Sequence, residues 1–197
     1  DRSEVETLSL HGRPLALLNA YLQPSAKLLL LSSDRYTPNA VAELLAQQNY
    51  RASRMIVLEH IGGARERIID ASAAAWRTDE PIADLNTIAI ECRSEPDANL
   101  LAHSPGLPDD AFQHDGQLTK REVRAVTLAR LSPIAGQLLW DIGAGAGSIA
   151  IEWMRTAKRV QAIAVERDPD RLNTIMANAN ALGVPTLQVV KGEAPQI

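Results

Sequence analysis

At 197 residues, 46% hydrophobic and 22% charged, the chain has an ordinary globular composition, with room for one large domain or two small ones. Twenty Lys and Arg against 24 Asp and Glu leave a net charge of −4, which argues against a general polyanion binder because phosphate contacts need clustered cations. Cys92 is the only cysteine, so no intrachain disulfide can form and a reducing, cytoplasmic compartment is expected. No apolar run is long enough to span a bilayer, and Asp1-Arg2-Ser3-Glu4 has no signal-peptide character.

The first half of the chain alternates strand and helix. Lys27-Leu28-Leu29-Leu30-Leu31 reads as a buried strand, and Ser32-Ser33-Asp34-Arg35-Tyr36 as the turn after it. Thr37-Pro38 then opens a helix, a capping hydroxyl followed by proline at the first helical position, with Val41, Leu44 and Leu45 on its apolar face. Met55-Ile56-Val57-Leu58 is a second strand, stopped by Gly62-Gly63. A helix over 66–77 and a third strand, Thr87-Ile88-Ala89-Ile90, follow. This order predicts an α/β architecture with helices covering a sheet.

From 93 to 116 the periodicity disappears, and Pro96, Pro105, Gly106, Pro108, Asp109, Asp110 and Asp115 dominate, as in a linker or an active-site flap. His103 and His114 lie there, where isolated histidines are usually just solvated. With four widely spaced histidines and one cysteine, no metal site is indicated. Thr119-Lys120-Arg121-Glu122 is a capping box, and the helix it opens turns Val123, Val126, Ala129 and Leu131 inward and ends before Pro133.

Leu138-Leu139-Trp140-Asp141-Ile142-Gly143-Ala144-Gly145-Ala146-Gly147-Ser148 then reads as strand, tight turn and helix. The glycines let the backbone turn sharply and approach a ligand with no side chain between. The following helix aims its free N–H groups and positive dipole end at that ligand. Two ligand classes use such a turn: a dinucleotide pyrophosphate and the aminocarboxypropyl tail of S-adenosylmethionine. The dinucleotide pattern wants a third glycine where Ser148 stands, so NAD is disfavoured. A second strand, Gln161-Ala162-Ile163-Ala164-Val165, ends in Glu166, roughly 20 residues past the glycines, where a carboxylate can accept both ribose hydroxyl hydrogens of an adenosine. A plain surface acid at a strand end is the competing account of Glu166.

Asp168-Pro169 caps another helix, with an apolar stripe of Leu172, Ile175, Met176, Ala179 and Leu182, ended by Gly183 and Pro185. Leu187-Gln188-Val189-Val190 is the next strand, and Lys191-Gly192-Glu193-Ala194-Pro195 its exit turn. Only three strands of the glycine-containing sheet fit before Ile197, leaving one edge bare, so the chain is expected to be an internal stretch of a longer protein.

Several motifs together carry a family resemblance. They are Gly106-Leu107-Pro108-Asp109-Asp110-Ala111-Phe112, the run from Gly116-Gln117-Leu118 through Thr119-Lys120-Arg121-Glu122-Val123-Arg124-Ala125, and the glycine segment onward to Glu152-Trp153. Val165-Glu166-Arg167-Asp168-Pro169, Asn178-Ala179-Asn180-Ala181-Leu182-Gly183 and Gly192-Glu193-Ala194-Pro195 continue it. The chain closely resembles the decarboxylating precorrin C5,15-methyltransferases of cobalamin biosynthesis. Ser9-Leu10-His11-Gly12-Arg13, Ser33-Asp34-Arg35-Tyr36-Thr37-Pro38 and Leu58-Glu59-His60-Ile61-Gly62-Gly63 extend the resemblance into the first half.

The resemblance implies a fold in two parts: the C-terminal half of a tetrapyrrole methylase (class III) domain over 1–95, a linker over 96–116, and the N-terminal half of a Rossmann-like class I methyltransferase domain over 117–197. It implies methylation of a precorrin at C5 and C15 with loss of the ring C acetate carboxyl as carbon dioxide, by a homo-oligomer using no nucleic acid or membrane. Carried over by position, Thr119, Gly143, Ala144, Gly145, Ala146, Gly147, Glu166 and Ala194 contact S-adenosyl-L-methionine. Glu193 stands where relatives often carry Asp toward the adenine amino group. Lys120, Arg121 and Arg124 are candidates for the substrate carboxylates, although a solvated helix face suits each of them as well. His114 and Asp115 are candidates for proton transfer. Other class I methyltransferases, acting on RNA or protein, and a non-catalytic binding fragment are the alternatives. The acidic balance and the lack of a basic aromatic patch lower the RNA version.

Overall fold

The computed structural model describes residues 4–77 and 81–195, so most of the N-terminal tetrad read above lies outside the described residues. The chain divides into two units: Asp1–Leu15 with Tyr21–Leu100, and Ala16–Ala20 with Leu101–Ile197.

Unit 1 is a five-stranded sheet of β1 (Val5–Ser9), β2 (Lys27–Leu31), β3 (Arg54–Glu59), β4 (Arg67–Ser72) and β5 (Asn86–Glu91), in the order β1-β2-β5-β3-β4. Only β1 and β2 run parallel; the other pairings are antiparallel. The register sets Leu28 and Met55 on Ile90, and Leu30 and Val57 on Ile88. These six side chains share one face, and none is more than 3% exposed. On the other face Val5, Leu31 and Ile68 are exposed, so β2 is buried on alternate residues rather than throughout.

α1 (Thr37–Gln47) buries Val41, Ala42 and Leu45. Thr37 is its first helical residue and not its cap. Asp34 takes the capping part: its Oδ1 accepts the N–H of Tyr36 at 2.8 Å and of Thr37 at 3.0 Å, as short Asp side chains do two or three residues ahead.

The helix expected over 66–77 is replaced by strand β4. The Gly62-Gly63 turn sends the chain back along β3, and Arg67 lies directly opposite Glu59 in the register. Arg67 and Glu59 pair there, and Arg54 pairs diagonally with Asp70 through Nε at 3.0 Å. Such cross-strand pairs, with the β-branched Ile68-Ile69, outweigh the local helical pattern.

Unit 2 is a parallel sheet of β6 (Leu138–Ile142), β7 (Gln161–Glu166) and β8 (Gln188–Lys191) in sequential order, with α2 (Arg121–Leu131), α3 (Ser148–Thr156) and α4 (Pro169–Ala181). Parallel neighbours need a crossover, which α3 and α4 supply. Ala150, Ile151 and Trp153 of α3, Ile175 and Ala179 of α4, and Ala162 and Ala164 of β7 form the core. Leu107 and Phe112, from the aperiodic stretch, join it.

Two expectations for α2 are overturned. Val123, Val126, Ala129 and Leu131 face outward, and the buried residues are Arg124 and Leu128. The capping box does not form either: Lys120 precedes the helix and makes no side-chain cap bond. Both follow from Arg124, which is fully buried. Its guanidinium donates to Glu152 and Asp109, each at 2.8 Å, and to the carbonyls of Thr119 and Leu107, with the Phe112 ring 4.8 Å away. A buried charge is tolerated only with such a full set of partners, and satisfying it fixes how α2 is rotated. In α4, likewise, Met176 points out and Asn178 points in.

Candidate active site

The glycine turn sits at the C-terminal end of β6, where ligands bind in parallel α/β sheets. Gly143 and Ala144 donate to the Val165 carbonyl at 2.9 and 3.0 Å, pinning the turn to the end of β7. Gly143, Gly145 and Gly147 all have positive φ. A Cβ at Gly143 or Gly145 would meet nothing within 4 Å, so this part of the turn faces open space. At Gly147 a Cβ would lie 2.9 Å from Ile175 Cγ2, which marks the close approach of turn and α4.

Two carboxylates frame the turn. Asp141 Oδ2 accepts the Ala150 N–H at 3.1 Å, capping the first turn of α3 from the strand before it. Burial pushes the Asp141 carboxyl up from its ordinary value, and the nearby charge of Glu166 pushes the same way. Glu166 is 5% exposed and accepts three backbone N–H groups: Gly145 at 2.9 Å on Oε2, and Arg167 at 2.9 Å and Asp168 at 3.1 Å on Oε1. A carboxylate offers about four acceptor positions, so one remains for a ligand hydroxyl while Gly145 stays bound.

The exit turn of β8 meets the same edge. Gly192 donates to the Glu166 carbonyl at 3.1 Å, and Glu193 pairs with Arg167 at 3.0 Å, both side chains exposed. Ala194 follows as an exposed residue. Strand ends thus gather Gly143, Ala144, Gly145, Glu166 and Glu193, while Ala146 is buried behind the turn.

On the other side of Ala146, a cavity of about 160 Å³ is lined by His114, Asp115, Ala146, Asp168, Arg171 and Thr174, among others. Asp115 accepts the Gln117 N–H at 3.0 Å and pairs with Arg171 at 2.8 Å. These two contacts, the backbone bond first, hold its carboxyl below the usual range. His114 Nδ1 accepts the Gly116 N–H at 3.0 Å.

The remaining expected residues are placed less uniformly. Thr119 is exposed, and its carbonyl is held by Arg124. Lys120 is exposed, 3.5 Å from Asp109, and Arg121 donates to the Gly106 carbonyl at 2.7 Å. Arg124, expected among the groups facing substrate carboxylates, is instead enclosed, with its donors engaged by Glu152, Asp109 and carbonyls.

Asn178, named above only within a motif, has a part in the site that the sequence reading does not assign to it. It is 1% exposed, donates to Gln113 O at 2.9 Å and to Ala146 O at 3.0 Å, and accepts from Gln113 N at 2.8 Å. It thereby ties the glycine turn to the loop that carries His114 and Asp115. Its sequence signals are its place in the Asn178-Ala179-Asn180 motif and a polar residue between the buried Ile175 and Ala179 of an amphipathic helix.

A three-stranded parallel sheet with a glycine turn at one strand end and an acid at the next makes the second unit a parallel α/β module with both features on one edge. Residues 110–197 of it match the family model described as a precorrin methyltransferase domain. Over 188 residues the chain is 48% identical to the precorrin-6Y C(5,15)-methyltransferase [decarboxylating] of Sinorhizobium sp, covering 95% of this chain and 45% of that protein. It is 45% identical over 169 residues to the protein of that name in Mycobacterium tuberculosis (strain CDC 1551 / Oshkosh), covering 85% of this chain and 41% of that one. The chain therefore spans less than half the length of these curated relatives. Among solved structures, the C-terminal domain of precorrin-6Y C5,15-methyltransferase from Rhodobacter capsulatus is 44% identical, with a TM-score of 0.46, over 49% of this chain and 52% of that one.

Proposed function

We propose that this chain is part of a decarboxylating precorrin C5,15-methyltransferase that uses S-adenosyl-L-methionine. In this reading 1–95 is part of a tetrapyrrole methylase domain, 96–116 the connection, and 117–197 part of a class I methyltransferase domain. The observation that carries it is the open turn at Gly143 and Gly145 beside the Glu166 carboxylate, within a segment resembling proteins named for this reaction. The alternative acceptors, RNA or protein, have no observation in their favour.

The donor supplies, when bound, an electrophilic methyl group on a sulfonium. Methyl transfer from it is a direct displacement, so alignment of donor and acceptor carbon does most of the catalytic work. The turn 143–147, open at Gly143 and Gly145, would hold the donor's tail against backbone. Glu166 offers its free acceptor position to a ribose hydroxyl, and engaging both hydroxyls requires the Gly145 N–H to let go. Glu193, which pairs with Arg167, would turn to the adenine amino group, and Thr119 and Ala194 would complete the contacts. Lys120 and Arg121 remain as cations for the acceptor's carboxylates, and His114 and Asp115 as groups for proton transfer; Arg124 drops out of this set because it is enclosed. Loss of the ring C acetate carboxyl as carbon dioxide breaks its C–C bond and leaves the electron pair in the conjugated macrocycle, which takes up one proton in its place, so no protein nucleophile is needed. A cytoplasmic homo-oligomer suits this chemistry.

Isothermal titration of the chain with S-adenosylhomocysteine is the test. Binding that falls about tenfold or more in Glu166→Ala, as expected for loss of a charge-assisted hydrogen bond, supports the reading. Unchanged affinity in that variant, or tighter binding of NAD, overturns it. For the reaction itself, the full-length protein incubated with donor and precorrin should add two methyl groups and remove one carbon dioxide by mass spectrometry.

A further inference from the structure

Five consecutive exposed residues, 113–117, carry His114 and Asp115, and two side chains of α4 hold them. Arg171 pairs with Asp115 at 2.8 Å. Asn178, about two helical turns further on, takes Gln113 by its backbone. Its Nδ2 donates to the Gln113 carbonyl at 2.9 Å, and its Oδ1 accepts the Gln113 N–H at 2.8 Å. The second Nδ2 hydrogen goes to the Ala146 carbonyl at 3.0 Å. Two carbonyls demand the nitrogen side of the amide and one N–H the oxygen side, so the partners settle how the group is turned.

Ala146 lies inside the glycine turn. The peptide joining it to Gly147 is gripped at both ends, its oxygen by Asn178 and its N–H by the Ala144 carbonyl at 2.8 Å. Gly145 and Gly147, on either side, have positive φ, and glycine loses more backbone freedom on ordering than any other residue. A turn fixed before its ligand arrives does not lose that freedom on binding, so the grip raises affinity without touching the ligand. Few side chains can replace it: a charged Asp has no donor to give the two carbonyls, and Gln is one methylene longer.

We propose that Asn178 is a positioning residue: from its enclosed place on α4 it locks the 113–117 loop to the glycine turn, and the turn's affinity for its ligand depends on that lock. That the ligand is S-adenosyl-L-methionine rests on the function proposed above; the lock between loop and turn does not.

Hydrogen exchange of the ligand-free chain reads the lock by itself. In Asn178→Ala the amides of Gln113 and of 145–147 should exchange at least tenfold faster relative to those of β7. The reference is Leu187→Ala, which empties a buried core site just before β8, at the opposite end of the sheet from the turn. There the ratio should not rise. Calorimetric titration with S-adenosylhomocysteine is the second readout, with both variants folded at the temperature used. Affinity should fall about tenfold in Asn178→Ala and stay at the parent's value in Leu187→Ala. Equal falls in the two variants, or exchange in Asn178→Ala that rises evenly over unit 2, make Asn178 an ordinary core residue and overturn the proposal. Where Asn178→Ala does not fold, Asn178→Ser, whose hydroxyl fits the same space, takes its place in both measurements. A parent that binds no S-adenosylhomocysteine while the exchange result holds sinks the methyltransferase reading and keeps the lock. A parent that binds it no better than Asn178→Ala sinks the positioning role alone.

Discussion

Gly147 is held by two separate constraints, its φ of +76 and the Ile175 methyl 2.9 Å from where a Cβ would stand. Gly147→Ala should therefore cost about 1–3 kcal/mol in urea unfolding, since neither the backbone nor the packed α4 can give way freely. Asp141 makes the opposite case. Its folded pKa is raised, so the stability linked to it is fully present below the unfolded carboxyl value and is lost as pH rises through the folded one. Asp141→Asn keeps an acceptor for the Ala150 N–H without the buried charge. At pH 7 that variant should be at least as stable as the parent, and its advantage should vanish near pH 3; a lower melting temperature at pH 7 would count against this account. Both residues were legible in the sequence as parts of a glycine turn with a leading acid. Which glycine is sterically locked, and that the acid caps the next helix, depends on α4 and β6 being folded together.

At the scale of elements, strands with an apolar alternation and helices with a proline or a capping acid at their start were legible. β2, β3, β5 and α4 form where the pattern puts them. Two elements diverged. The sequence reads β4 as a helix because local periodicity carries no information about the strand across the turn, and its pairs, Arg67 with Glu59 and Arg54 with Asp70, exist only once the hairpin closes. α2 was rotated in the reading because hydrophobicity alone put Val123 and Val126 inside. A charged residue outranked them when three other segments supplied its acceptors. In this chain Leu128→Ala should cost about 2–5 kcal/mol, the usual range for emptying a fully buried site. Val126→Lys should stay within about 0.5 kcal/mol of the parent. Chemical denaturation of both variants checks the rotation directly, and a large loss in the valine variant would reverse it.

For the whole molecule, the division into two units puts the candidate residues of the turn, Glu166 and the β8 exit within the second unit. S-adenosylhomocysteine at 100 times its dissociation constant should stabilise that unit by about 2.7 kcal/mol. In hydrogen exchange the added protection should appear in 141–147 and 164–168 and leave β1 to β5 unchanged. Protection spread over the first sheet would place the ligand elsewhere. What the sequence determined by itself was the chemistry on offer: a side-chain-free bend after a strand, an acid one strand later, and family motifs in their order. These are local, because a glycine's φ freedom and a strand's alternation are properties of a few neighbouring residues. What only the tertiary structure decided was which charges are available to a ligand. Arg124 and Arg121 look alike in the sequence, yet one is enclosed by Glu152, Asp109 and two carbonyls while the other is exposed and donates to the Gly106 carbonyl, because burial and ion pairing depend on segments far apart in the chain.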